Sequence, residues 1–208
     1  MDRFDAGLQP SGRPAAPGRL GLVQAFLNTF WDLGGDGAEV WSSPEAYARW
    51  LGERGFSGPV SRVDVDGAIL VREALRSLAL ANHDDVAAPA AEEVLDHDDV
   101  AAPAAEEVLD RVALEVAPRA GLVPRFGAGG DRLDVAADGP DAALALVLGI
   151  VFGARANGSW RRMKACPHEH CGWVFYDRSR NRSSQWCSMR ICGNRTKAAR
   201  HRALVAGR

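Results

Sequence analysis

The sequence predicts an α+β or α/β protein in two parts: a helix-rich N-terminal domain with a small sheet or hairpin, and a small C-terminal module built on cysteines. Three observations lead there. Apolar residues recur at three- and four-residue spacing in several segments between 19 and 155, the period of amphipathic helices. The segment 122–135 reads as a hairpin around a glycine-rich loop. All four cysteines of the chain fall between 166 and 192, as two pairs.

Residues 1–18 contain Pro10, Pro14 and Pro17 and few large apolar groups, the composition of a flexible leader. The N-terminal domain is expected over 19–155. Leu22, Val23, Phe26, Leu27, Phe30 and Trp31 predict an apolar stripe on a first helix, ended by Gly34, Gly35 and Gly37. Ser43, Pro44 and Glu45 form a helix start, in which Ser43 caps, Pro44 suits the first position and Glu45 favours the positive end of the dipole. Tyr47, Trp50 and Leu51 give this helix one apolar face before Gly52 and Gly55. A longer helix is predicted over 66–82. It buries Ile69, Leu70, Ala74, Leu75, Leu78 and Ala81 and leaves Arg72 and Arg76 on a solvated side.

Residues 83–96 recur letter for letter as 97–110. Two copies are too few for a solenoid, and perfect identity points to a recent in-frame duplication. The second copy runs on through Arg111 to Val116 as a helix that Pro118 should stop. The first has only Val94 and Leu95 to bury, so it is expected as a surface excursion. His83 and His97, each beside two aspartates, carry no metal prediction, because duplication copies residues without selecting them.

Leu122–Phe126 and Arg132–Val135 then flank the glycine-rich loop of the hairpin. No Gly-Lys-Ser or Gly-Lys-Thr follows these glycines, so phosphate-loop nucleotide binding is disfavoured. Asp138-Gly-Pro-Asp141 starts a helix through Leu144, Leu146, Val147, Ile150 and Phe152 that is apolar nearly all round and belongs in a core. Asn157 and Gly158 end it, and the C-terminal module is expected over 156–208.

The cysteine pairs are Cys166 with Cys171 and Cys187 with Cys192. Each spacing lets a short loop aim two thiolates at one tetrahedral metal. Four thiolates close the site, leaving no open position for a substrate, so one structural Zn²⁺ is the expected cofactor. Disulfides are disfavoured: the first 18 residues lack an apolar signal region, and the chain is long enough for a core without staples. His168 and His170 lie inside the first loop and are able to ligate, but two matched cysteine pairs make that unnecessary.

Charge is the second signal. Residues 155–208 carry thirteen Lys plus Arg and two acidic residues, a net +11, whereas residues 1–154 carry −13; the whole-chain value of −2 hides this. Such asymmetry marks a nucleic-acid-binding module on an acidic body. Arg178, Arg180 and Arg182 alternate with small polar residues and suit phosphate oxygens. Arg190, Arg195, Lys197, Arg200 and Arg202 extend the candidate interface along a basic helix. Asn194 and Arg195 also stand beside the cysteine knot, where hydrogen bonds to the ligands would steady it. Gly193 is expected to allow a sharp turn.

Cys166-x4-Cys171, the run from Trp173 to Arg182, Trp186-Cys187-Ser188 and Cys192-Gly193-Asn194-Arg195 together resemble the CGNR zinc finger. In bacteria this finger closes proteins of the putative stress-induced transcription regulator family, whose N-terminal part is called the ABATE domain. The likeness is dense over about 40 residues and looser over 19–155. It implies a treble-clef-like finger, a cytoplasmic, nucleoid-associated protein and a role in DNA-binding transcription regulation under stress. Double-stranded DNA is then the implied partner, and the N-terminal domain is left with ligand sensing, through an unknown small molecule, or homodimerisation. The alternative is an RNA- or protein-binding zinc module. An enzyme is not expected, because no nucleophile, acid/base pair or open metal position stands out. Membrane association is not expected either, since the chain has no apolar run long enough to span.

Overall fold

The computed structural model describes residues 2–32, 37–83, 102–127 and 130–206. Among them the chain forms helices α1 (Leu20–Leu27), α2 (Pro44–Gly52), α3 (Arg62–Ala81), α4 (Ala102–Ala120), α5 (Pro140–Ala156) and α6 (Asn194–Ala206). Three antiparallel pairs complete it: β1 (Phe30–Trp31) with β2 (Ala38–Glu39), β3 (Leu122–Arg125) with β4 (Arg132–Val135), and β5 (Met163–Ala165) with β6 (Val174–Tyr176). No helix among the described residues is long and apolar enough to cross a membrane.

α5 lies at the centre. A helix that is apolar nearly all round must be enclosed, and α5 packs on α1, α3, α4 and β4 while burying Leu144, Leu146, Val147, Ile150 and Val151, although Phe152, expected in the core, is exposed. Gly149 lets the hairpin come close, since a Cβ there would stand 3.3 Å from the Cβ of Leu133. Beyond α1, Trp41 meets Phe26, Tyr47 and Trp50 edge-on or tilted at centroid distances of 4.9–5.3 Å. Edge-to-face contacts of this kind add to the area they bury.

The helix starts follow their caps. Ser43 Oγ accepts from Ala46 N at 3.3 Å, as its sequence implies. α3 begins at Arg62, a turn earlier than predicted, because Ser61 and Asp64 form a reciprocal capping box. Three other expectations are corrected. The first helix stops at Leu27, and Phe30 and Trp31 form a strand paired with Glu39 and Ala38. Their apolar side chains fit a helical stripe and a half-buried strand equally well, so periodicity alone could not separate the two. Pro118 does not end α4, which continues to Ala120. The proline sits in the last turn, and the residue whose carbonyl it fails to bond, Leu114, is exposed, so the one lost helical bond falls at the surface.

The third correction concerns Arg72 and Arg76, which are not solvated. Arg72 is 2% exposed. It makes a two-pronged pair with Glu39, at 2.9 and 2.7 Å, and donates to Glu73 at 2.6 Å. Arg76 donates to Glu73 at 2.9 Å, to the Leu27 carbonyl at 2.7 Å and to the carbonyl of Gly172. A guanidinium carries five donors in a fixed plane, which suits it to tie several carbonyls at once.

The duplicated segment lies largely outside the described residues. Its first residue, His83, is buried and donates from Nε2 to the Ala165 carbonyl at 2.7 Å; His97 lies outside them. The second copy contributes Ala102–Asp110 to α4, where Ala105 and Leu109 are buried. Removing either copy yields the same sequence, leaving about six residues between α3 and α4, within the usual span of a helix–helix connection. That 14-residue deletion is expected to keep the thermal midpoint and bound zinc of the parent. Melting with metal analysis checks it, and loss of either would show that the second copy is structural.

Candidate zinc centre and basic surface

The metal centre grows out of the hairpin β5–β6. Met163, Ala165, Val174 and Tyr176 point into the main core, while Trp173 and Phe175 turn the other way and pack among the four cysteines with Trp186 and Ile191. This is the two-residue alternation of a strand, and it puts one sheet between two cores.

The first cysteine pair occupies the turn of that hairpin. Cys166 N donates to the Trp173 carbonyl and Cys171 N to the His168 carbonyl, each at 2.9 Å. Gly172 follows at φ 61°, a conformation that favours glycine, and its carbonyl receives Arg76. Of the second pair, Cys187 immediately precedes Ser188, and Cys192 is carried by a single π-type turn, Met189–Gly193, directly before α6. Ser188 holds this turn: its hydroxyl accepts from Ile191 N at 3.3 Å and its carbonyl from Cys192 N at 2.9 Å. Gly193 is required for a different reason from the one expected. Its φ is not left-handed; a Cβ would instead run into Met189 Sδ and stand 3.0 Å from Trp186 Cδ1.

All four sulfurs lie within 4.8 Å of one another, and the Cys171–Cys187 and Cys187–Cys192 separations are both 3.6 Å. Thiolates at about 2.3 Å around a tetrahedral zinc are about 3.8 Å apart, so the donor set fits that ion. The cysteines are free and buried. Without a cation the cluster would conflict with itself. Hydrogen bonds from Cys171, Cys187 and Cys192 draw the Cys166 thiol far down, while Cys171 and Cys187, which donate to that thiolate, are driven far up. A divalent cation resolves the conflict by allowing all four to ionise. His168 and His170 stay outside the cluster; His170 is exposed, 4.0 Å from Asp32.

A buried ion pair supports the arginine loop. Lys164 and Asp177 both have 0% exposed side chains, with Nζ 3.3 Å from Oδ2. Lys164 also donates to the carbonyls of Arg182 and Ser184. Burial disfavours a charged Asp177, yet hydrogen bonds from Ser179 and Ser184 hold its carboxyl below the usual range. Arg162 clamps the same loop from outside, donating to the carbonyls of Asp177 and Ser179 at 2.9 and 2.8 Å. The sequence reading missed Lys164, Asp177 and Arg162, for nothing in the spacing of a lone lysine and a lone aspartate signals a pair.

Arg178, Arg180, Arg190, Arg195, Lys197, Arg200 and Arg202 are exposed, whereas Arg182 is half-buried in a left-handed turn at φ 52°. Arg178 also donates to the Ala15 carbonyl at 2.8 Å. On α6, Lys197 and Arg200 share one side and Arg195 and Arg202 another, as helical spacing requires. Leu204 and Val205 are exposed, so the far turns of α6 have no apolar face seated on the protein. From α6 a hydrogen bond reaches the knot through Thr196, whose hydroxyl donates to the Cys192 carbonyl at 3.1 Å. Asn194 and Arg195 are exposed at the start of the helix.

The finger is clamped to the helical body by polar side chains. Gln24 of α1 and Asn28 at its C-terminal cap both donate to the Val174 carbonyl, at 3.1 and 2.8 Å, and Val174 N donates to Asn28 Oδ1 at 2.7 Å. Asn82 donates to the carbonyls of Trp160 and Met163 at 2.9 and 2.8 Å.

A knuckle on a hairpin, with a second cysteine pair leading into a helix, defines a treble-clef-like zinc-finger protein with a single closed structural zinc site. The family model of the CGNR zinc finger matches residues 162–204, and that of ABATE, "Putative stress-induced transcription regulator", matches residues 20–156. The second match covers well over half of the chain, and the protein belongs to the ABATE family. No curated protein matches the sequence.

Structural zinc supplies on the order of 10 kcal/mol or more to so small a module. Replacing any one of Cys166, Cys171, Cys187 or Cys192 by serine is therefore expected to abolish zinc binding and unfold the finger, read by metal content and tryptophan fluorescence. Lys164→Met strands a buried carboxylate and should destabilise the finger by about 3–5 kcal/mol. Chemical denaturation measures this, and faster tryptic cleavage after Arg178, Arg180 and Arg182 would report the released loop.

Proposed function

We propose that the protein is a DNA-binding transcription regulator whose finger grips the phosphate backbone, with the ligation of zinc serving structure alone. The observation that carries this reading is the +11 charge of residues 155–208, much of it on exposed Arg178, Arg180, Arg190, Arg195, Lys197, Arg200 and Arg202, over a scaffold whose four thiolates leave the metal no open position. Arg178, Arg180, Arg190, Lys197 and Arg200 supply phosphate contacts, which set register and affinity; any base readout falls to side chains of α6. Arg182 supports the loop and contributes less. The acidic body repels the same polyanion and so orients the finger toward it. Such a protein acts at the nucleoid and needs no catalytic group.

A ligand-sensing role for the body has a specific support. A cavity of about 450 Å³ between the start of α1, the hairpin β3–β4 and α5 is lined by Leu20, Leu133, Ile150 and Phe152, with Arg19, Arg125 and Arg132 among its polar groups. Its size suits a small molecule.

Binding to duplex DNA is expected to weaken steeply with salt, with a log–log slope of about 0.9 per phosphate contacted. Arg200→Ala should lower that slope by about one contact while leaving zinc content unchanged. Fluorescence anisotropy over a salt series reads both values. Equal or tighter binding of single-stranded RNA, or no binding of any nucleic acid, would favour the alternative of an RNA- or protein-binding module.

A further inference from the structure

We propose that the N-terminal leader is part of the nucleic-acid interface: Arg13 joins Arg178 and Arg190 around a cleft that seats a backbone phosphate. This rests on the nucleic-acid reading above and extends it to a segment that the charge pattern of the C-terminal part does not include.

The leader is seated on the finger, through contacts between residues 163–177 positions apart in the chain. Ser11 Oγ lies 2.6 Å from Ser188 Oγ, beside the second cysteine pair. Trp173 Nε1 donates to Gln9 Oε1 at 3.1 Å. Arg13 stacks its guanidinium 4.4 Å over the ring of Phe175 and donates to the Trp186 carbonyl at 3.2 Å. Arg178 reaches back to the Ala15 carbonyl at 2.8 Å. Ser11 is held at φ 58° and Gly12 at φ 68°. A left-handed serine is an uncommon conformation that persists where surrounding contacts enforce it.

Between the leader and the loop 176–190 runs an open cleft of about 730 Å³. Arg13, Arg178 and Arg190 come to it from three separate segments, with the hydroxyl-bearing Ser179, Ser184 and Ser188, and no lining residue is acidic. The bonds that Arg13 and Arg178 make within the protein go to neutral carbonyls, so they orient the two guanidinium groups without cancelling their charge. Like charges gathered around one cleft repel, and an anion with several oxygens relieves them. Guanidinium forks and hydroxyls match the tetrahedral oxygens of a phosphate. The cleft is open to solvent, as access for a group within a continuous chain requires.

Two measurements test this. On the intact zinc-loaded protein, arginine modification by phenylglyoxal is mapped by mass spectrometry with a short DNA duplex, with inorganic phosphate at equal phosphate concentration, or with neither. The duplex is expected to protect Arg13 together with Arg178 and Arg190, and free phosphate is not. In the second, Arg13→Gln keeps the stem on Phe175 and an amide donor for Trp186 while removing the charge. It should reduce the salt slope of duplex binding by about 0.9 at unchanged zinc content, and Arg13→Lys should retain the slope. An Arg13 equally reactive with and without duplex, or an Arg13→Gln variant of parental slope, overturns the proposal and leaves the nucleic-acid reading standing. Equal protection by free phosphate overturns it too, assigning the cleft to a small anion. Failure of the unaltered protein to bind any duplex removes the nucleic-acid reading, and the proposal with it.

Discussion

Four sulfurs held within 4.8 Å of one another are the constraint on which the C-terminal part depends. Thiolates at that spacing repel, and thiols there have too few acceptors, so the arrangement is stable only around a dication. Each local feature of the finger serves to bring them together. The hairpin turn offers one pair, Cys187 and the π-type turn capped by Ser188 offer the other, and Gly193 leaves room for Met189 and Trp186 to close over the site. Phe175 is fully buried and packs with the four cysteines.

The finger is not an appendage on a tether. Strands β5 and β6 give one face to the helical core and the other to the zinc cluster. Their backbone is read by Gln24, Asn28, Asn82 and His83, while Arg76 spans from α3 to the knuckle. These are side chain to backbone bonds in buried surroundings, where an unpaired partner is costly. They fix the orientation of the finger relative to the body and make the two fold as neighbours. A metal site built this way is steadied from both sides, by the ion and by the helices.

Charge is distributed with the same logic. The buried cations Arg72, Arg76 and Lys164 are paired with Glu39, Glu73 and Asp177 and serve structure. The exposed arginines Arg62, Arg119 and Arg155 of the body stand beside carboxylates, whereas Arg178, Arg180, Arg190, Arg200 and Arg202 on the finger and α6 are exposed in a part of the chain with few acidic residues. A helix with basic groups on more than one side and exposed Leu204 and Val205 gains little from its own protein. It is suited to a partner that brings compensating charge.

The sequence by itself determined the metal site, because ligand chemistry is written in residue type and spacing: two cysteine pairs need no tertiary knowledge to be recognised. It also determined the start of α2, the largely enclosed helix α5 and the hairpin β3–β4, all of which follow from local periods and caps. Only the tertiary structure decided which arginines are buried. Arg72 and Arg178 look alike in sequence, yet one lies under Trp41 and Phe30 against Glu39 and the other faces solvent. Phe30 and Trp31, Lys164 with Asp177, and the leader against the finger were likewise settled by contacts between residues distant along the chain. Such pairings leave no periodic trace, since burial and partnership are properties of the packed molecule and not of the segment.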